Sequence, residues 1–233
     1  MRFEGIDRHE AIKFLILRTI GNFLVLFSIF GVIATFGPAL FFEANFRIGQ
    51  LQGVRYVVAE KPGTVIDDSG KGGLGELTKT KNTQILVPKD TFFDIVIPKI
   101  GANAKVYPNI SPNNEEEYLN VLQKGVAHAK GTVFPGMQGT TYLFAHSTDN
   151  WWNVGRYNAI FYLLKDVAVD DDIVVFFKDK RYNYKVGETK IVDGDDVSYL
   201  ADAQSGPEQL VLQTCWPPGT TIKRLVVIAK PVK

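Results

Sequence analysis

The feature that most limits what this chain can become lies near its start. From Thr19 to Phe42, "TIGNFLVLFSIFGVIATFGPALFF", 24 successive residues carry no charge. As an α-helix rising 1.5 Å per residue they reach about 36 Å, enough to cross a hydrocarbon core of about 30 Å. A cleaved secretory signal has an apolar region of only about 7–15 residues followed by a small-x-small site, whereas this run ends in the bulky "PALFFEANF". The run is therefore expected to be one membrane-spanning helix, residues 19–42, anchoring the chain in a cell membrane. Arg8, Lys13 and Arg18 precede it and Arg47 and Arg55 follow. That small bias puts residues 1–18 in the cytoplasm and the remainder outside.

Charge and cysteine content narrow the function classes. Lys and Arg number 26 against 25 Asp and Glu, so no concentrated basic face is on offer and nucleic acid is not an expected partner. A hydrophobic share of 45% supports one good core. The only cysteine is Cys215, which excludes an internal disulfide. The three histidines, His9, His128 and His146, do not form a structural zinc site with that one thiol at such spacings. No metal and no cofactor are expected.

Past the anchor, residues 43–83 read as a juxtamembrane segment and tether. Ala44 to Ala59 suit a helix or a strand, and "DDSGKGGLGELTKTKNT" (Asp67 to Thr83) has four glycines and no useful periodicity. The folded domain is expected over residues 84–233. It consists mainly of short runs of β-branched and aromatic residues bounded by Gly, Pro, Asp or Asn: Phe92 to Ile100, Thr140 to Ala145, Asp172 to Lys178, Arg181 to Val192, Glu208 to Thr214 and Lys223 to Ala229. The fold class is mainly β, a closed barrel of about eight strands with two or so short helices. One helix begins at "SPNNEEEYLNVLQKG", with Ser111 as N-cap, Pro112 in first helical position, an acidic first turn and Gly125 as stop. The other is expected over Arg156 to Asp166.

Three residues carry the chemistry. Cys215 follows "LVLQT" and stands at the C-terminal end of a strand; His146 ends "TTYLFA"; Arg224 opens the strand after the Cys loop. Singly, each has an ordinary structural reading, since free Cys is most often a small buried apolar residue. Together they suit acyl transfer: a thiol needs a base or a positive environment, an imidazole moves protons, and a guanidinium stabilises a tetrahedral oxyanion. If "LVLQTC" and "RLVVIA" are adjacent strands joined by the eight residues "WPPGTTIK", Cys215 and Arg224 meet at one end of the sheet.

These stretches resemble the sortases, the membrane-bound cysteine transpeptidases of bacterial cell surfaces. "LQTCWPPGTTIKRLVVIA" is similar to their Thr-x-Thr-Cys and Arg signature, and "YLFAHS" to their His-bearing strand end. "FDIVIPKIGANAKVYPNI" resembles the opening strand pair, and "LQKGVAHAKGTVFPGMQGTTYLFAHS" the approach to the histidine. The resemblance implies that Cys215 attacks a Leu-Pro-x-Thr-Gly-like sorting motif between Thr and Gly, giving a thioester. His146 would then protonate the leaving amine and deprotonate the incoming one, with Arg224 binding the substrate backbone and oxyanion. Thr214 would place the nucleophile or the substrate carbonyl, and His128 is a structural or groove-edge residue. The partners implied are surface proteins bearing a C-terminal sorting motif and an amine acceptor such as a peptidoglycan precursor or a pilin lysine.

The connection Asp193 to Pro207 is expected to wall the groove, with Val197, Tyr199, Leu200 and Ala201 gripping an apolar side chain and Trp216, Pro217 and Pro218 stiffening the other side. Asp149, Asn150 or Asn153 could orient the imidazole, though no spacing selects one. Some sortases bind calcium; the acidic groups Asp170 to Asp172 and Asp193 to Asp196 read instead as solvated turns. The short Cys-to-Arg loop and the lack of an obvious extended lid suit a housekeeping class D or E type over a pilin polymerase. Three other functions stay open: an L,D-transpeptidase, whose Cys and Arg lie almost adjacent; a plain cysteine peptidase; and a non-catalytic surface or assembly module.

Overall fold

The computed structural model describes residues 8–59, 83–147 and 160–232. The chain forms two compact units, Met1–Ala44 and Asn45–Lys233. The described residues of the first belong to helix α1 (Arg8–Leu51), which extends beyond the expected 19–42 at both ends because neither flank contains a helix breaker before Gly49. Successive helix positions point about 100° apart, and Leu24, Val25, Leu26 and Phe27 are all exposed. A helix apolar on every side needs lipid around it, and the stretch Arg8–Ala34 fits a single-pass membrane anchor by length and composition.

The second unit is a closed barrel of eight strands. They are β3 (Phe93–Ile97), β4 (Ala102–Ile110), β5 (Val126–Ala129), β6 (Thr140–Phe144), β7 (Asp172–Phe177), β8 (Lys180–Asp193), β9 (Gln209–Trp216) and β10 (Lys223–Pro231), in the order β10-β8-β7-β3-β4-β5-β6-β9 with β9 pairing back to β10. The pairs β4–β5 and β6–β9 are parallel and the others antiparallel. Period-two alternation sends Phe93, Ile95, Ile97, Ile173, Val175, Tyr184, Leu210, Leu212, Leu225 and Val227 inward to one core.

Residues assigned to the tether by sequence belong partly to this unit. β1 (Arg55–Val58) pairs in parallel with β2 (Thr83–Leu86), and Val58 and Leu86 cover Val96, Val174 and Phe176 on the outside of the barrel. Phe46 packs against the main core and Arg47 Nη2 donates to Asp166 Oδ1 at 2.8 Å. The folded part therefore takes in residues 45–59 as well as those from Thr83, because their apolar side chains have surface to bury. The glycine-rich residues 67–82 lie outside the described residues.

Both helix expectations change. The helix after β4 is α2 (Glu115–Leu122), and its N-cap is Asn114, whose side chain accepts from Glu117 N at 3.2 Å. Ser111 O instead accepts from Asn114 N in the turn before it. "SPNN" offers three capping side chains, and the one three residues before a donating N–H prevails. Gly125 follows the helix because a Cβ there would lie 2.4 Å from Lys105 O on β4. Of Arg156 to Asp166, residues 156–159 lie outside the described residues, and the described remainder is one 3-10 turn, Tyr162–Asp166.

Candidate active site

The outward faces of β6, β9 and β10 form the floor of the candidate site. On β9, Leu210 and Leu212 face the core while Val211 packs outside, so Gln213 and Cys215 also face outward and Thr214 inward. On β10, Leu225 and Val227 face in, and Val226 and Ile228 face out, as does Arg224. The two strands pair Arg224 directly with Cys215. This is the juxtaposition expected from the short connection between them.

The third residue arrives on β6. Parallel pairing sets Phe144 beside Gln213, and the ladder continues with Ala145 N donating to Gln213 O at 3.2 Å. Thr214 Oγ1 closes the strand end by donating to Ala145 O at 2.9 Å. His146 is the next residue and comes level with Cys215. His146, just past the end of β6, thus stands in one row with Cys215 on β9 and Arg224 on β10.

Cys215 is a free, part-exposed thiol. Arg224 is part-exposed as well, and one of its nitrogens, Nη1, donates to Thr221 O at 2.9 Å and Lys223 O at 3.1 Å. Those bonds hold the guanidinium at the mouth of the loop, and among the described residues Nη2 and Nε keep their donors. A part-exposed nucleophile, an imidazole-bearing strand end and a pinned cation in one row can attack a carbonyl, move protons and hold an oxyanion.

The remaining expected site residues separate. Leu200, on the helical turn α3 (Ser198–Ala201), packs with Tyr199 against the outer cluster of Tyr142, Val211 and Val226, on the same face as Cys215. Ala201 beside it is exposed. The turn is tied to β6 by Thr140 N donating to Ala203 O at 2.6 Å. Gly139 permits that approach, having φ +110° and a notional Cβ only 2.5 Å from Ala203 O.

Thr214, Trp216 and His128 lie elsewhere. Thr214 is buried with its hydroxyl spent on Ala145, so it clamps the His146 strand end from inside. Trp216, one residue past Cys215, packs against the main core. His128 is fully buried; Nδ1 accepts from Asn109 N at 3.2 Å, and Nε2 lies 3.0 Å from Thr132 Oγ1 and 3.1 Å from Val133 O. Burial holds its pKa below the ordinary value. It is a core histidine stacked on Phe134 at 4.6 Å.

Asp149, Asn150 and Asn153 lie outside the described residues. The acidic turns bond locally: the Ser198 hydroxyl and then its backbone N–H, 3.0 Å from Asp196 Oδ1, lower the Asp196 carboxyl pKa, and Asp171 Oδ2 accepts from Ala168 N at 2.8 Å. Among the described residues no three His, Cys, Asp or Glu side chains converge as metal ligands would.

Two tyrosines belong to this face without having been singled out by sequence. Tyr118, on α2, meets the Phe144 ring edge-on at 6.3 Å. Burial raises its phenol pKa first, then the Glu115 charge; the Arg224 cation pulls it down and Cys215 pushes it up. Tyr142 donates its hydroxyl to Gln213 Oε1. The signal for both was available in strand parity and in the helical spacing of Tyr118 to Leu122.

Residues 95–232 match the family model described as a sortase domain. A curated relative, Sortase D of Bacillus subtilis (strain 168), is 25% identical over 206 residues, covering 86% of this chain and 92% of its own. Among solved structures, Sortase C1 of pilus island 1 of group B Streptococcus is 25% identical with a TM-score of 0.51, over 60% of this chain and 64% of that one, just under two thirds of its length. Sortase C-1 from Actinomyces oris is 24% identical with a TM-score of 0.52, over 62% of this chain and 76% of that one, which bears on the fold alone.

Proposed function

The chain belongs to the sortase family, a family of transpeptidases, and from that premise we propose that it cuts a Leu-Pro-x-Thr-Gly-like sorting motif and transfers the acyl part to an amine. The Cys215 thiolate attacks the threonine carbonyl carbon. The Thr–Gly C–N bond breaks, and the departing glycine amine takes a proton from His146, leaving a thioester on Cys215. An incoming amine gives a proton to His146 and attacks the thioester, and the C–S bond breaks to restore the Cys215 thiolate beside a protonated His146. Arg224, pinned through Nη1, offers Nη2 and Nε to the oxyanion of both tetrahedral intermediates. Leu200 and Ala201 form one wall of the peptide groove.

The observation that carries this reading is the direct pairing of Arg224 with Cys215, with His146 two residues past the end of the adjoining strand. The donors are surface proteins with a C-terminal sorting motif, and the acceptor is a peptidoglycan precursor amine or a pilin lysine. The apolar helix tethers the enzyme to the cell membrane with residues 1–18 in the cytoplasm and the barrel outside. Likeness to Sortase D of Bacillus subtilis across most of the chain supports a class D type. Product analysis of a sorting peptide with and without added amines separates transfer from hydrolysis. Amine-dependent formation of the amide is the expected outcome; hydrolysis at the same rate whatever the amine would make the chain a plain peptidase.

A further inference from the structure

Gln213 and Tyr142 form a polar pair on the outward sheet face that holds Cys215 and Arg224. Gln213 lies two residues before Cys215 on β9, so both side chains leave the sheet on the same side, about 6.6 Å apart along the strand. Tyr142 is buried on β6 and its hydroxyl donates to Gln213 Oε1. That bond fixes which end of the amide is committed: the oxygen is held, and the Nε2 donors have no partner among the described residues. Gln213 is itself part-exposed, with Phe144 beside it across the ladder and Val226 opposite on β10. A glutamine on a mostly apolar floor, held by its oxygen from beneath, presents N–H groups to whatever lies above.

We propose that Gln213 is a substrate-binding residue that donates through Nε2 to a backbone carbonyl of the acyl peptide, with Tyr142 as its positioning residue. The inference rests on the peptide-transfer reading above and adds a contact to it. An extended peptide advances at the same rise as a strand, and its alternate carbonyls point to one side. With the scissile carbonyl at Cys215, the carbonyl two residues earlier falls at Gln213. In a Leu-Pro-x-Thr-Gly-like motif that is the carbonyl of the proline, a residue with an acceptor and no N–H.

The test uses the full chain in detergent micelles and a labelled Leu-Pro-x-Thr-Gly peptide, natural or with a thioamide, a weaker acceptor, at the proline carbonyl. Affinity is measured on the Cys215→Ala background and turnover on the Cys215 enzyme. A neutral hydrogen bond is worth about 3- to 10-fold, so Gln213→Leu and Gln213→Glu are expected to raise Kd and KM by that factor with kcat held within about 2-fold. Tyr142→Phe, which frees the amide without removing it, should raise KM about 2-fold.

The thioamide should weaken binding to the Gln213 protein and leave the Gln213→Leu protein indifferent, a difference no purely structural role would produce. Unchanged Kd in both Gln213 variants, or equal thioamide penalties with and without Gln213, overturns the proposal; the isosteric Gln213→Glu keeps this decisive if Gln213→Leu folds poorly. A fall in kcat at constant KM also overturns it, because the group would then act on the chemistry. Binding that depends on Gln213 in a protein that never cleaves the peptide would uphold this contact while refuting the transpeptidase reading.

Discussion

On the outside of β3 and β7, Val96, Val174 and Phe176 are sealed under Val58 and Leu86 from the β1–β2 pair, and Asp94 is wholly buried with neither carboxylate oxygen bonded among the described residues. On the outside of β6, β9 and β10, cover comes from Tyr199 and Leu200 over Val211 and Val226, while Gln213, Cys215 and Arg224 stay part-exposed. The same strand alternation builds both faces. What differs is the cover: the N-terminal segment turns one face into a second core, and among the described residues the short turn α3 leaves the other open at one end. The barrel thereby separates a surface that contributes stability from one on which a peptide can lie.

Substitutions that move only one face test that separation. Phe176→Ala on the sealed side should cost about 3–5 kcal/mol through lost burial and the cavity left behind, seen as a large fall in Tm. At 25 °C kcat/KM of the folded fraction should stay within about 3-fold of wild type; a parallel fall would show that the faces are coupled. Arg224→Ala on the open side should do the reverse, reducing kcat/KM by about 10²–10³ with Tm nearly unchanged. Arg224→Lys should restore little of it, because a point charge lacks the guanidinium's several donors.

Asp94 sharpens the contrast through pH. Burial pushes its carboxyl up to about 8, with the Lys89 cation pulling the other way. In the unfolded chain an aspartate titrates near pH 4, so between about pH 4 and pH 8 the folded state holds a proton that the unfolded state has released. Stability therefore falls as pH rises through that window. Asp94→Asn should flatten the slope and raise Tm by about 5 °C at pH 8, leaving activity on the far face untouched. Thermal melts of both proteins from pH 5 to pH 9 check this; identical slopes would refute the assignment.

The positions of most barrel strands, and the adjacency of the Cys215 and Arg224 strands, were readable in the residues. β6, β7, β9 and β10 are dense in β-branched and aromatic side chains, and each ends close to its expected boundary. β4, "ANAKVYPNI", is poor in such residues and was visible only through likeness to sortases, and the four residues of β5 are too few to show a period. The β1–β2 pair was hidden for another reason: its partners are separated in sequence by a stretch with no pattern of its own, so nothing local announces the pairing. Thr214 and Trp216 illustrate parity. Each is adjacent to Cys215, and a side chain one residue from an outward-facing one faces in. His128 shares its type with His146, yet its ring nitrogens are taken by Thr132 and Val133 in the turn that follows and by Asn109 on β4, a partner that spacing along the chain cannot name.

The central claim is that Cys215 on the open face becomes acylated. Intact mass measurement of the full chain with a Leu-Pro-x-Thr-Gly peptide and no acceptor amine should show one acyl adduct, located at Cys215 by peptide mapping, absent from Cys215→Ala, and discharged as an amide when an amine is added. An unmodified chain that still cleaves the peptide, or an adduct that persists in Cys215→Ala, would contradict it.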